Sequence, residues 1–258
     1  MAAASNQNCD AKIQNQVKSI EQNLQIIFSD QANEDGKLYF LKISKKTGKG
    51  NIYSIYSSTR KPLKNGIYLI TLTLPGRSSH GVVLFISQDI NGQQMFHLFE
   101  PNGQQWANNP SFYQLEITVD GNIQAINTSL SPTSNVNGSG NCGIWGIVIS
   151  ILLNSLINQE ITEEEKDNFF RFLDQNNTNG LRFITNISNT YFNTERELNV
   201  NLFREDIINM IKNPDNFIGG AHGKGGKKIK TKKKKSIKKG KKVKKVKKTK
   251  NRKKTKKN

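Results

Sequence analysis

The sequence is poor in cysteine and histidine, with two Cys and three His among 258 residues. Cys9 and Cys142 are too few to staple a small secreted domain, and no charged and then apolar signal segment opens the chain, so we expect a reducing, intracellular compartment. These scattered residues also do not supply the closely placed ligands of a structural zinc ion. We therefore predict no metal and no other cofactor.

Long hydrophobic runs are also missing. The longest extends from Cys142 to Leu153, with a looser continuation to Ile157. A helix that spans a bilayer needs about 20 predominantly apolar residues, so we expect no membrane-spanning helix and no membrane partner. A segment that is apolar on every side is typical of a helix buried in a protein core. We predict such a core helix here.

Acidic residues are absent from the end of the chain: residues 221–258 hold 22 Lys and Arg and no Asp or Glu. Residues 1–220 keep 17 of the 39 basic residues and all 20 acidic ones, a net charge of −3. We predict one folded domain over 1–218 and a disordered lysine-rich tail over 219–258, which has little apolar surface to bury. Without aromatic side chains, the tail would bind nucleic-acid backbones without reading bases. A solubilising role or nuclear import is the alternative for such a run.

The remaining sequence predicts a helix, a series of strands and then a block of helices. Apolar spacing predicts a first helix over 11–28 that is capped by Asp10. The dipeptides Asn91-Gly92 and Asp120-Gly121 are typical of type I′ hairpin turns. The predicted strands are 38–43, 52–56, 67–74, 82–86, 95–99, 115–119 and 123–126, and further helices are predicted over 163–174 and near 202–212. This order favours an α+β fold over a regular α/β alternation.

Three residues form a candidate catalytic triad. Cys142 opens the predicted core helix, where the helix dipole and unpaired N–H groups favour a thiolate. His80 and Glu100 stand at the open end of the predicted Asn91-Gly92 hairpin, which would make them neighbours. A carboxylate that binds one imidazole nitrogen leaves the other free to take the thiol proton. The alternative is that Cys142 is merely a small buried residue.

The arrangement of these residues along the chain resembles a known family. His80 is followed by Leu98-Phe99-Glu100-Pro101-Asn102-Gly103 and then by Asn141-Cys142-Gly143-Ile144-Trp145, an order similar to that of the adenain-like cysteine proteases. These are the adenovirus-type maturation proteases, the SUMO-deconjugating proteases and the maturation proteases of large DNA viruses. The resemblance implies a papain-related α+β fold, in which a mixed sheet packs against the helix that starts at the nucleophilic cysteine. It implies Cys142 as nucleophile, His80 as base and Glu100 as the orienting acid.

Two positions depart from the family pattern. The family usually has a Gln shortly before the nucleophile that donates a hydrogen bond to the oxyanion, and here Asn135 or, alternatively, Asn137 would take its place. The family also often has Trp directly after the histidine, where this chain has Gly81.

The family cuts after Gly-Gly or Gly-x, so the resemblance implies a thiol endopeptidase that acts on glycine-rich sites in proteins. We expect it to process viral core or capsid proteins during virion maturation, in the virion, the viral factory or the nucleus. Gly219-Gly220 lies at the junction with the tail, which makes Gly220-Ala221 a candidate self-cleavage site. Linker glycines without such a role are the alternative.

Three other functions stay open at this point. The same fold could remove ubiquitin-like proteins as an isopeptidase, because that reaction also follows Gly-Gly. Effector acetyltransferases share the order His, Glu, Cys and would require acetyl-CoA. A noncatalytic protein that packages nucleic acid would carry the triad by coincidence. The remaining strand histidine, His97, is predicted to be a packed sheet residue.

Overall fold

The computed structural model describes residues 3–31, 33–44, 49–57, 63–73, 79–138, 140–176, 178–192 and 198–218, and for 3–12 and 217–218 it describes the backbone alone. The chain divides into two units, residues 1–222 and 223–258, and every described residue belongs to the first. The predicted tail over 219–258 and the candidate cleavage site Gly220-Ala221 lie outside the described residues.

A four-stranded mixed sheet lies at the centre of the fold. In sheet order its strands are β1 (Leu38–Ser44), β3 (Gly66–Thr73), β4 (His80–Gln88) and β5 (Gln94–Phe99). The first two run parallel, and the other neighbouring strands are antiparallel. Five consecutive residues of β3, from Gly66 to Ile70, are buried, which is the pattern of a strand covered on both faces.

A smaller sheet covers one of these faces. It contains β2 (Ile52–Ser57), β6 (Gln114–Val119) and β7 (Asn122–Gln124). Tyr68 and Ile70 of β3 pack with Tyr53 and Ile117 of the smaller sheet in one apolar cluster. The alternate β3 residues, Ile67 and Leu69, belong to the apolar cluster of the helices, because successive side chains of a strand point to opposite faces.

Helices cover the other face of the central sheet. They are α1 (Ala3–Ser29), α3 (Cys142–Ile157), α4 (Glu163–Gln175), α5 (Asn179–Ile187), α6 (Val200–Lys212) and α7 (Asp215–Ile218), and a short α2 (Gln104–Ala107) follows β5. A 3₁₀ turn at Glu34–Gly36 and a π-helical turn at Ser188–Phe192 complete the regular elements. Every residue of α3 from Ile144 to Ser155 is buried, which confirms the predicted core helix. Among the described residues, no helix is long and apolar enough to cross a membrane.

The predicted α+β class is confirmed, and so is the turn at Asp120-Gly121, where both residues have positive φ (48° and 85°) as type I′ geometry requires. The hairpin between β4 and β5 differs from the prediction. A five-residue loop replaces the type I′ turn, because the Asp89 carboxylate accepts hydrogen bonds from the N–H groups of Asn91 and Gln93 (both 2.8 Å).

One helical prediction is wrong, and one helix was not predicted. The first helix begins at Ala3, so Asp10 lies within it and does not cap it. Helix α5 was not predicted, because its nine residues are preceded by the polar sequence Asn176-Asn177-Thr178 and include Asn179 and Gly180, a composition typical of a loop.

Candidate active site

His80 and Glu100 meet where β4 begins and β5 ends. The two strands are antiparallel with Val83 opposite Phe99, so the residue after β5 lies beside the first residues of β4. Nε2 of His80 is 2.9 Å from each carboxylate oxygen of Glu100. Both side chains are buried, with His80 6% exposed and Glu100 0% exposed. The juxtaposition expected from the hairpin is therefore present, although the loop that joins the strands differs.

Cys142 is the first residue of α3, and Asn141 before it makes no side-chain capping bond. The N–H groups of the first turn of any α-helix lack partners within the helix, and here the side chain before the helix does not satisfy them. Gly81 of β4 lies directly against this turn, since a Cβ at position 81 would be 3.6 Å from the Cys142 carbonyl and 3.7 Å from its Cβ. The packing of α3 on the central sheet thus brings the thiol to the start of β4.

The thiol of Cys142 and the imidazole of His80 are neighbours, since each shifts the pKa of the other through hydrogen bonding and charge. Because Nε2 of the ring bonds to Glu100, Nδ1 is the nitrogen that remains for the sulfur. The structure therefore brings together all three predicted triad residues, in the order thiol, imidazole, carboxylate. Such an arrangement orients the ring and lets it exchange a proton with the thiol.

The electrostatics of the pair favour a thiolate beside an imidazolium. Burial raises the pKa of Cys142, but the hydrogen bond and charge of His80 and the N–H groups of Gly81 and Gly143 lower it, and the pKa lies below the usual value. Burial likewise lowers the pKa of His80, whereas the hydrogen bonds and charges of Cys142 and Glu100 raise it to about 9. The two shifts describe one coupled pair, because each charged form stabilises the other.

Further hydrogen bonds hold the Glu100 carboxylate in place. The hydroxyl of Tyr113 donates to Oε2 (2.6 Å), and the backbone N–H of Asn102 donates to Oε1 (2.7 Å). The N–H of Glu100 donates to Ser131 Oγ (2.9 Å), which in turn donates to the carbonyl of Leu98 (2.9 Å). Tyr113 is 1% exposed. No local sequence pattern indicates this tyrosine, because its contact with Glu100 joins different elements of the fold.

The two candidate oxyanion donors lie on the loop that precedes Cys142. Asn135 is exposed, and its Oδ1 accepts a hydrogen bond from the N–H of Asn137 (2.9 Å). Asn137 is buried, and its Nδ2 donates to Oδ1 of Asn102 (3.1 Å). Neither amide hydrogen-bonds to Cys142 in the described part of the chain. Among the described residues, the amide N–H groups of Asn135 have no hydrogen-bond acceptor, and the role of Asn135 in binding an oxyanion stays a prediction.

An aromatic pair borders the imidazole. The ring centroid of Trp106, in α2, is 5.8 Å from that of His80. The indole stacks on Phe112, with centroids 4.3 Å apart and ring planes within 7° of parallel. Gly81 offers no side chain after the histidine, so the indole beside the imidazole comes from another part of the chain. Trp106 is not among the predicted site residues, because no motif or spacing in the sequence links it to His80.

The remaining predicted residues lie elsewhere. His97 is within β5 and stacks on Phe85 with centroids 6.0 Å apart, as expected of a packed sheet histidine. Burial, together with the charge of Lys166, lowers its pKa. The described segments contain no group of three or more His, Cys, Asp and Glu side chains that could hold a metal ion.

Comparison of the chain with protein-family models, with curated proteins and with solved structures gives no match. The geometry of the site and the motifs of the sequence are therefore the features that indicate a function.

Proposed function

We propose that this protein is a cysteine endopeptidase with a papain-related, adenain-like fold. One observation carries the proposal: the imidazole of His80 lies between the thiol of Cys142 and the buried carboxylate of Glu100. A structural cysteine has no need of this arrangement, because a small buried thiol is satisfied by apolar packing. The three residues also occur in the order and motifs that resemble the adenain-like proteases.

In the proposed reaction, the thiolate of Cys142 attacks the carbonyl carbon of a substrate peptide bond. A C–S bond forms, and the carbonyl electron pair moves to oxygen, where the N–H of Cys142 and an amide such as that of Asn135 stabilise the negative charge. The C–N bond then breaks, the oxyanion becomes a thioester carbonyl, and the leaving amine takes the proton of the His80 imidazolium. The side chain of Glu100 orients the ring and stabilises the imidazolium.

Water completes the cycle. The neutral imidazole of His80 accepts a proton from water as the oxygen attacks the thioester carbon. A C–O bond forms, the C–S bond breaks, and the sulfur leaves as the thiolate paired with the new imidazolium. The products are a carboxylic acid and the regenerated enzyme.

The substrates are proteins cut after glycine-rich sites, and this part of the proposal derives from the family resemblance. The 22 basic residues of the tail support a place beside nucleic acid. The family resemblance and the basic tail together support a maturation protease that processes core or capsid proteins in a virion or viral factory.

The first test is brief labelling with a substoichiometric Gly-Gly vinyl electrophile near neutral pH, followed by peptide mapping. We expect selective labelling of Cys142 over Cys9, and a loss of about 100-fold in His80→Ala. His97→Ala is the matched control, because this histidine is also in the central sheet but does not contact the triad. Equal, slow labelling of both cysteines that is unchanged in His80→Ala, with and without DNA, would contradict the proposal and favour the noncatalytic packaging function.

A further inference from the structure

An apolar surface is exposed beside the catalytic imidazole. Phe112 is 39% exposed although it is a large apolar residue, and Trp106 is partly exposed. Their stacked rings form one continuous surface. Exposed apolar surface of this kind at the edge of a reactive site is typical of a ligand contact.

The position of this pair relative to the triad is well defined. Helix α2 follows directly after the turn that contains Glu100, and the N–H of Gln104 donates to the carbonyl of Pro132 (2.9 Å). The Gln104 side chain donates to the carbonyl of Ser131 (3.0 Å). Gly103 before the helix has φ of 91°, and a Cβ there would be only 2.9 Å from the backbone of Ser134. Helix α2 is therefore anchored to the loop that leads to Cys142.

The chemistry of the reaction determines which part of a substrate would meet this surface. The imidazole of His80 gives its proton to the leaving amine, so the amine and the residue that carries it pass next to the ring. The centroid of Trp106 is 5.8 Å from the centroid of that ring. An extended chain advances about 3.3–3.6 Å per residue. The separation of the two rings is therefore no more than the length of two residues of an extended substrate chain.

We infer that Trp106 and Phe112 form a specificity surface for the first residues on the leaving-group side of the cut, and that they favour an apolar or aromatic side chain there. This inference depends on the proposed peptidase function. It extends that function, because the glycine preference concerns the acyl side of the cut only. Burial of a planar side chain against the stacked rings would remove apolar surface from water on both partners.

The test uses two Gly-Gly vinyl sulfones that differ only in the group on the leaving-group side, methyl in one and phenyl in the other. The thiolate adds to the vinyl carbon farther from the sulfone group, and a C–S bond forms there. The electron pair of the double bond moves to the carbon next to the sulfone, which takes a proton from the imidazolium. The readout is the ratio of the Cys142 labelling rates, phenyl over methyl, divided by the same ratio for glutathione. This division removes the intrinsic reactivity of the probes.

For the wild-type protein we expect a corrected ratio of about 10. Trp106→Ala and Phe112→Ala should lower it towards 1, whereas Trp106→Phe should keep most of it. Ile90→Ala is the matched control, because Ile90 is fully exposed in the loop between β4 and β5, at the opposite end of the strands from His80. Its ratio should equal that of the wild type. If circular dichroism shows that Trp106→Ala is unfolded, Phe112→Ala decides, since its side chain is exposed.

Two failures are distinguishable. Selective, His80-dependent labelling of Cys142 with a wild-type ratio near 1, or with a high ratio that persists in the folded alanine variants, overturns the inference and leaves the proposed function intact. Labelling of Cys142 by both probes that is no faster than labelling of Cys9, and that His80→Ala does not change, overturns the proposed function and the inference with it.

Discussion

The hydroxyl of Tyr113 donates a hydrogen bond of 2.6 Å to Oε2 of Glu100, and both side chains are buried. Burial raises the pKa of Tyr113 well above its usual value, with the charge and the hydrogen bond of Glu100 as further causes. The phenol is therefore a neutral donor at every pH at which the protein would work. It holds the carboxylate that hydrogen-bonds to His80, so in the proposed reaction Tyr113 would be a positioning residue.

Tyr113→Phe should weaken the orientation of the triad without removing any triad member. We expect about a tenfold fall in the labelling rate of Cys142, a change in its pH profile, and a loss of about 1–3 kcal/mol in the free energy of unfolding, because the buried carboxylate loses a donor. Tyr53→Phe is the control: its buried hydroxyl donates to the carbonyl of Thr73 (3.1 Å) and not to Glu100. Identical labelling and pH profiles for the two variants would refute the positioning role.

The pH profile should report the coupled pair. The pKa of Cys142 is below its usual value, so thiolate labelling should begin below the pH expected of a free cysteine. The pKa of His80 is raised from 6.5 to about 9, so peptide turnover should fall as pH rises through about 9, where the imidazolium that protonates the leaving amine is lost. The raised pKa of His80 also adds to the free energy of unfolding. This contribution is present in full below pH 6.5 and is lost as the pH rises to about 9. Turnover rates and denaturation midpoints measured from pH 5 to 10 check both expected decreases. A turnover rate that keeps rising above pH 9 would contradict the role of His80 as the proton donor.

Gly103 should tolerate substitution far less well than another glycine with the same sign of φ. Gly103 and Gly121 have φ of 91° and 85°, but only at Gly103 would a Cβ approach another backbone, that of Ser134, at 2.9 Å. Both alanine variants incur the strain of a positive φ, of about 1 kcal/mol or more. We expect Gly103→Ala to lose about 1–3 kcal/mol beyond the loss in Gly121→Ala, and to slow Cys142 labelling. Equal unfolding midpoints in urea would show that the contact with Ser134 is unimportant.

The lysine-rich tail should bind nucleic acid through charge alone. The logarithm of the affinity for duplex DNA should fall linearly with the logarithm of the salt concentration, because each neutralised phosphate contributes about −0.9 to the slope. Replacing Lys232, Lys233, Lys234 and Lys235 with Gln in the full chain should reduce the slope by up to about 3.6. Fluorescence anisotropy with two unrelated sequences measures both effects. A marked sequence preference, or an unchanged slope, would mean that the folded domain makes the contacts.

The active protein should release its own tail if Gly220-Ala221 is a cleavage site. Intact-mass measurement of incubated wild-type protein would then show a product that ends at Gly220, whereas Cys142→Ala and Gly220→Leu stay full length. Identical full-length masses for all three would leave Gly219-Gly220 as an ordinary linker.

Several features followed from local sequence because local forces determine them. The helix predicted over 163–174 is present as α4, and a capping box between Thr162 and Glu165 begins it. The all-round apolar composition of residues 142–157 predicted a helix at the centre of the core, and the strand pairing across a short loop brought His80 and Glu100 together. The two residues are neighbours although the turn type was predicted wrongly, because the register of the strands depends on the apolar alternation of β4 and β5.

The sequence by itself determined the α+β class, the core helix that starts at Cys142, and the hairpin that joins a histidine to a carboxylate, since each depends on periodicity or on residues close in the chain. Only the tertiary structure decided that α3 packs with its first turn against Gly81, that Tyr113 donates to Glu100, and that Trp106 borders the imidazole. These contacts join elements that are distant in sequence or that fold back through irregular turns. Their geometry depends on how whole layers pack, which no local pattern of residues records.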